Sequence, residues 1–463
     1  MKPQLTYDVV VVGGDLSGLV TAALLAKEGA SVLVTNPGDQ ARSTRVGEYL
    51  FEEQPSWITG FKEGGAFNHL ISKLGLSLIG DTGLLTFSSP PYLASGSRRY
   101  SWTSNPSELQ HELKREYQDS HEPILHWHSS LQEIAPQLNA IIEKLLTGQI
   151  PSTKWLRGEK ISPRKLRRIT SWQSKGLATT IHGQVLNGAL SSLSYLDPKV
   201  SDNLPFAFWN ERLKDGVGTF RGGIDQFRRK LLQVVSETEG DIVQAHPQKL
   251  YFEENTFQGM ELSDGKKVKA KFLIANEGIA SSYKRLSPHI GKKRWEPTKK
   301  LPMSYWRNYY FTVREEGIPD YLSHTLVTVD NEKNALTNGN LMTMTFSHPD
   351  DPTRAPEGER ILTASYLIDP KTPTSDTPDI VKKIRALLPF FPEFLTGAHP
   401  ITAPTRVMRR PLRRPAVVGD PLRHWTPPFS NVYYAGPELY PEFGAEGEIL
   451  SGLRINRLIQ SKR

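Results

Sequence analysis

Apolar residues concentrate most tightly near the start of the chain. Val9 to Val12 form a continuous apolar run, followed by the turn Gly13-Gly14-Asp15-Leu16-Ser17-Gly18 and then by Leu19, Val20, Ala22, Ala23, Leu24, Leu25 and Ala26 before Lys27-Glu28-Gly29. A short apolar run, a Gly-rich turn and a longer apolar stretch stopped by Gly predict a strand, a tight turn and a helix. Val32-Leu33-Val34 then closes a β-α-β unit. A unit of about 30 residues has the size of a nucleotide-binding crossover, and its sheet should be parallel and buried.

Later segments are less regular. From Pro106 to Gly148, Leu, Ile and Trp recur at helical spacing among polar residues, which predicts amphipathic helices broken near Pro123 and Pro136. Residues 216–254 return to the α/β pattern, with a Gly-rich turn, the helix-like IDQFRRKLLQVVSET, and IVQ and KLYFEEN as short strands. Alternation through Phe257–Leu262 and Lys271–Asn276 predicts a meander ending in a buried strand. Residues 300–370, rich in Tyr, Thr, Val and Leu between turn residues, predict a mostly β platform. A strand at Val432–Ala435, a Gly-rich loop through Gly447 and a helix through Leu458 would bring the chain back to its first sheet.

Composition narrows the class. With 463 residues and 38% hydrophobic content the chain is a multi-core globule rather than a disordered or fibrous protein. Its Cys count of 0 removes disulfides, thiolate nucleophiles and Cys-ligated metals. No apolar run reaches the about 20 residues that a membrane-spanning helix needs, and the first residues lack a secretory pattern, so the expected location is the cytoplasm. A formal charge of +8 over the whole chain is too small to argue for nucleic acid. The basic stretches 154–170 and 405–415 are candidate contacts for an anionic membrane surface or an acidic protein partner, against the plainer reading of a solvated face. His126 and His128 do not share a helix face, so no metal site is expected.

Three segments in order carry a resemblance: the N-terminal Gly turn, GTFRGGIDQFRRKLLQVV with its meander, and AGPELYPEFGAEGEILSG. Together with QARSTRVGEYLFEEQPSWITGF and DGKKVKAKFLIANEG, they resemble the FAD-dependent phytoene desaturase and flavin amine oxidase superfamily. The resemblance implies an α/β fold, with a Rossmann-like FAD-binding domain built on a three-layer parallel sheet and an α+β substrate domain with a helical insert. It implies domain limits of 1–75, 210–290 and 415–463 for the first and 76–209 and 291–414 for the second. It further implies FAD as cofactor and hydride transfer from an apolar or amine-like substrate to flavin.

In a GxGxxG turn the first Gly makes the bend, the second admits the diphosphate and the third packs helix on strand, with the phosphates at the helix N-terminus. Gly13 and Gly18 keep the first and third places, and Gly14 and Ser17 lie between them, but the second place holds Asp15. Two like charges about 4 Å apart cost about 1 kcal/mol in water and about 4 at an effective dielectric near 20. Asn36 stands where Asp or Glu would accept the ribose hydroxyls with a stronger, charged bond. By the resemblance, Arg42 would lie near the diphosphate and offset Asp15, while Pro247 would lie at or beside the adenine contact without an N–H to give. The resemblance also makes Gly436, Glu438, Gly444 and Gly447 the C-terminal cofactor loop, with Glu438 one place late for the family's acid. Glu446 and Glu448 would oppose a reduced, anionic flavin. Trp57, Tyr305, Trp306, Tyr309, Tyr310, Tyr433, Tyr434 and Tyr440 could line a cavity for substrate or flavin, although aromatic groups of this kind more often form core. Two readings stand at this point. The chain is an FAD-dependent oxidoreductase, or it is a flavin-free, non-catalytic homologue that serves as a binding or partner subunit beside an active relative.

Overall fold

Leu5–Val12 is a strand whose last four valines are buried, because it runs through the middle of a sheet with neighbours on both sides. The chain is described here from a computed structural model over residues 5–40, 43–53, 57–87, 89–159, 161, 181–196, 204–290, 295, 303–322, 324–331, 333–369, 380–399, 405–408 and 427–463. Arg42 and most of the basic stretches 154–170 and 405–415 lie outside these residues.

Among the described residues the first sheet runs in the order Pro247–Glu253, Thr256–Leu262, Lys267–Ala275, Leu5–Val12, Val32–Thr35, Asp241–Val243, and Val432–Tyr434 pairs with Lys267–Ala275. Leu5–Val12 pairs in parallel with Lys267–Ala275 and Val32–Thr35, and Val432–Tyr434 joins Lys267–Ala275 in parallel. Segments from both ends and the middle of the chain therefore build one mixed sheet. The helix Leu16–Lys27 is buried at every residue from Leu16 to Ala26, so it is apolar around its whole circumference rather than on one stripe. It packs against the C-terminal helix Gly444–Gln460, where a Cβ on Gly452 would stand 2.5 Å from a Val20 methyl. That closeness requires a residue without a side chain.

The platform is a second sheet in the order Leu395–His399, Met303–Arg314, Glu359–Ile368, Leu341–Phe346, Thr325–Val329, Tyr92–Ser95, Arg98–Ser101, with Thr405–Met408 pairing Met303–Arg314. One face packs Met342, Met344, Leu362, Ala364 and Tyr366 against Ile380, Ile384 and Phe391. The opposite face turns Asn308, Tyr310, Thr343, Thr345, Thr363 and Ser365 toward the rest of the molecule, as their pairing register requires.

The helical insert corrects one expectation. His121–Leu146 is a single helix of 26 residues with Pro136 inside it, not two helices parted by Pro136. Pro123 sits in the first turn, where its missing N–H costs nothing. The interior proline costs about 3 kcal/mol. Burial of Ile134, Leu138, Ile141, Ile142 and Leu145 on either side of it offsets this, at about 1.5–3 kcal/mol for each fully buried side chain. No helix among the described residues is long and apolar enough to cross a membrane.

His128 on this helix is fully buried beside Trp127 and His182, and the Tyr100 hydroxyl lies 3.0 Å from His182 Nδ1. Burial pushes His128 down to about 3 from 6.5 and holds His182 well below its ordinary value. The folded chain keeps both rings neutral while the unfolded chain takes up protons below pH 6.5. For His128, stability is therefore lost as pH falls from about 6.5 toward 3, at about 1.4 kcal/mol per pH unit, and His182 acts in the same direction. Urea denaturation should show His128→Phe losing less stability than wild type between pH 6 and pH 4.

Candidate functional site

The Gly-rich turn leaves the first strand at Gly13, whose φ of +108° suits Gly alone, and a Cβ there would stand 2.2 Å from the Asn276 carbonyl oxygen. A Cβ on Gly18 would likewise meet the Asn276 side chain at 2.2 Å. Asn276 ends the strand Lys267–Ala275. Its backbone N–H donates to the Val12 carbonyl at 2.8 Å, and its Nδ2 donates to Ser17 Oγ at 3.2 Å and to the Ala435 carbonyl at 3.0 Å. One amide thus ties the turn, the middle strand and the C-terminal strand together. Sequence reasoning passed over Asn276, because nothing local marks an Asn after a buried strand as a three-way tie.

Gly14 lies against Pro37, whose carbonyl oxygen would be 2.6 Å from a Cβ at Gly14. Asn36 takes a left-handed φ of +52°, which Asn tolerates, and its N–H donates to the Val243 carbonyl at 2.7 Å. The guanidinium that the described contacts bring to this turn is Arg228, from the helix Ile224–Glu237. It donates from Nε to the Gly14 carbonyl at 2.7 Å and from Nη2 to the Pro37 carbonyl at 3.1 Å, and it pairs from Nη1 with Asp225 at 2.7 Å. Its charge is committed to Asp225 and two carbonyl dipoles on the Gly14 side of the turn. The i, i+3 spacing of Asp225 and Arg228 was the available sequence signal for this pair.

Asp15 is the N-cap residue of the first helix. Its carbonyl accepts from Gly18 and Leu19, both at 3.1 Å, but its carboxylate does not cap the helix. It is buried, and so are Glu438 and Glu448. The Tyr434 hydroxyl donates to Glu438, and the Tyr195 hydroxyl donates to Glu448 at 2.6 Å. Burial pushes Glu438 up to about 7, with the Asp15 and Glu448 charges adding to the rise and the Tyr434 hydrogen bond opposing it. Tyr434 is itself held well above its ordinary value by burial and by Glu438. The hydroxyl of Tyr434 crosses Gly436, where a Cβ would be 2.1 Å from it. Tyr434 therefore acts as core here, filling the space beside the turn.

The C-terminal loop requires a second correction. The helix begins at Gly444, so Glu446 and Glu448 lie in its first turns rather than before it, and Glu446 does not carry a bare charge. Arg212 grips both Glu446 oxygens, from Nε at 3.0 Å and Nη2 at 2.9 Å, while Thr59 and the Ala66 N–H donate to the same carboxylate at 3.0 Å each. Arg212 stands 234 residues from Glu446 in sequence, which put the pair beyond any local reading. Gly444 and Gly447 are packing positions, since a Cβ would meet the Leu193 carbonyl at 2.6 Å and the Tyr440 carbonyl at 2.1 Å respectively. Pro247 opens its strand opposite Leu262, and its carbonyl accepts from Arg285 at 2.6 Å. Arg285 in turn pairs with Glu277, the residue after Asn276.

The strand, turn and helix thus form the frame of a dinucleotide site, and the side chains gathered around the turn are acidic. Asp15, Glu438 and Glu448 are buried near one another, the charges of Asp15 and Glu448 adding to the rise at Glu438, while the guanidiniums of Arg228 and Arg212 face Asp225 and Glu446. Bringing further negative charge close to buried carboxylates is costly.

Two outcomes follow for stability. Arg212→Met should cost about 3–5 kcal/mol in urea denaturation by leaving Glu446 buried and uncompensated, and adding Glu446→Gln should recover much of that loss. Glu438 has a raised value in the fold, so its stabilising neutral form is lost as pH rises from 4.5 through about 7. Glu438→Gln should therefore stabilise the chain relative to wild type at pH 8 and leave it unchanged at pH 4.

The sequence profile of flavin containing amine oxidoreductases matches residues 16–460. Among solved structures, an oxidoreductase from Methanosarcina mazei aligns with a TM-score of 0.61 at 16% identity over 97% of this chain and 99% of that one. Putrescine oxidase bound to putrescine aligns at 0.56 and 16% identity over 99% and 100%, and a Rab GDI from Plasmodium falciparum at 0.53 and 11% over 94% and 93%. Protein FixC of Salmonella typhi is 33% identical over 82 residues, so the match spans only 19% of that curated relative's length and 17% of this chain. The structural likenesses show the fold, and the profile match over most of the length shows the kinship: this chain belongs to the flavin containing amine oxidoreductase family.

Proposed function

We propose that this chain uses the family's scaffold without flavin, as a non-catalytic binding or partner subunit. The observation that carries this reading is the buried group of Asp15, Glu438 and Glu448 around Tyr434, at the turn where the diphosphate of FAD would have to lie. The scaffold alone does not decide the matter, because function is grafted onto a fold rather than fixed by it. Chains described as oxidoreductases and one described as a Rab GDI share this architecture. A partner related to the active members of the family, and an acidic or membrane surface met by the basic stretches, belong to the same proposal.

The second reading, an FAD-dependent oxidoreductase acting on an apolar or amine-like substrate, draws on the family match and on the geometry of Gly13 and Gly18 over Asn276. One measurement separates the two. Wild-type protein as isolated should show no flavin absorbance near 450 nm, even after incubation with FAD. Asp15→Gly should raise FAD affinity by about 5-fold to about 1000-fold, the range set by removing one like-charge contact of about 1 to 4 kcal/mol. Stoichiometric FAD in the wild type would establish the oxidoreductase reading instead.

A further inference from the structure

The segment that carries Glu438 is fixed at its two ends and held lightly between them. Ala435 is tied on one side, its N–H donating to the Ala275 carbonyl at 3.0 Å and its carbonyl accepting from Asn276 at 3.0 Å. Pro441 is tied on the other, its carbonyl accepting from the Tyr195 N–H at 2.9 Å. Within 436–440 the one backbone bond among the described residues runs from the Leu439 N–H to the Gly436 carbonyl, at 3.3 Å. Leu439 and Tyr440 are anchored by burial, which leaves Gly436, Pro437 and Glu438 as the part that can turn, with a glycine as its pivot. Pro437 is partly exposed, so water stands one residue from the buried Glu438 carboxyl.

Three carboxylates meet at this segment. Asp15 comes from the turn before the helix Leu16–Lys27, Glu448 from the helix Gly444–Gln460 and Glu438 from the segment itself, and all three are buried. The neighbouring elements answer them with hydroxyls: Tyr434, from the strand Val432–Tyr434, donates to Glu438, and Tyr195 donates to Glu448 at 2.6 Å. Glu442, in the short turn Pro441–Phe443, is a further buried acid. The guanidiniums of Arg212 and Arg228 are engaged by Glu446 and Asp225. Carboxylates buried together repel one another when all are ionised, so such a group keeps a proton that carboxyls in water would release. Asp15 and Glu448 are anchored to helices, whereas Glu438 stands on the short segment with a way out.

We infer that residues 436–438 form a proton-operated flap: with the Glu438 carboxyl protonated the flap lies closed beside Asp15, and when the proton leaves the flap swings about Gly436 and carries the carboxylate into water. Burial raises Glu438 from 4.5 to about 7 in the closed form, the Asp15 and Glu448 charges adding to the rise while Tyr434 and its own N–H oppose it. The proton's preference for the closed form is fully present below pH 4.5 and is lost as pH rises through about 7. The ratio of open to closed flap is therefore about tenfold larger at pH 8.5 than at pH 6. The flap is a property of the chain itself under either reading of its function.

Hydrogen exchange of the full chain, followed by mass spectrometry at pH 6 and pH 8.5 and corrected for the intrinsic rate at each pH, tests the flap. In the wild type a peptide spanning 436–440 should lose about tenfold in protection between the two pH values, while a peptide spanning the strand Leu5–Val12 keeps its own. Glu438→Gln, which resembles the protonated acid at every pH, should leave the 436–440 protection unchanged. Asp15→Asn, which removes one of the like charges, should reduce the change to about threefold or less, and it carries the test if Glu438→Gln does not fold. Equal wild-type protection at both pH values overturns the inference. So does a tenfold loss that persists in Glu438→Gln or in Asp15→Asn, or one that the Leu5–Val12 peptide shares.

Discussion

The carboxylates buried around the Gly-rich turn set the character of this protein. In a fold of this kind the turn and the N-terminus of the following helix present N–H groups and positive potential to a diphosphate. Here the same position carries the Asp15 carboxylate, and Tyr434 crosses Gly436 to hold Glu438 beside it. Electrostatic cost at such a place is not diluted by water, because Asp15, Glu438 and Glu448 are all buried. The result is a site whose backbone keeps the shape for a dinucleotide while its side chains answer the potential internally, through hydroxyls and a carboxyl with a raised value.

The rest of the architecture keeps that arrangement rigid. Asn276 fixes the turn to two strands, Arg228 fixes Gly14 to Pro37, and Arg212 fixes the C-terminal helix to the segment Thr59–Ala66 through Glu446. Each tie joins residues far apart in sequence, which is how the first, middle and last segments of the chain become one domain. These are buried, charge-assisted bonds, and each is conditional on its partner, since removing one side leaves a charge in a medium that cannot solvate it. The platform sheet is organised differently. One face is a continuous apolar core, and the other is a row of polar side chains, among them Asn308, Thr343, Thr345, Thr363 and Ser365, turned toward the rest of the molecule.

Much of this was legible in the amino-acid order. The run from Val9 to Val12 and the glycines at 13 and 18 have one good structural solution, and a carboxylate at the second place of the glycine turn is visible in the sequence as Asp15. What escaped was long-range pairing. Glu446 reads as an opposing charge until Arg212, far off in sequence, is seen to hold both its oxygens. Pro136 reads as a helix break until the apolar side chains around it are seen to be buried, and packing then outweighs the lost hydrogen bond. Asn276 carries no local signature, because satisfaction of a polar atom is a property of the assembled fold. Arg42, expected from the family pattern to sit near the diphosphate, lies outside the described residues.

The proposal of a flavin-free chain requires that the turn refuse a diphosphate, whatever is attached to it. ³¹P NMR of ADP titrated with the full wild-type chain at pH 8, where Glu438 is predominantly ionised, addresses that claim without involving the isoalloxazine ring or any redox assay. Unchanged shifts and line widths for both phosphorus resonances are the predicted result. A saturable shift of both resonances that Asp15→Asn leaves unaltered would contradict it.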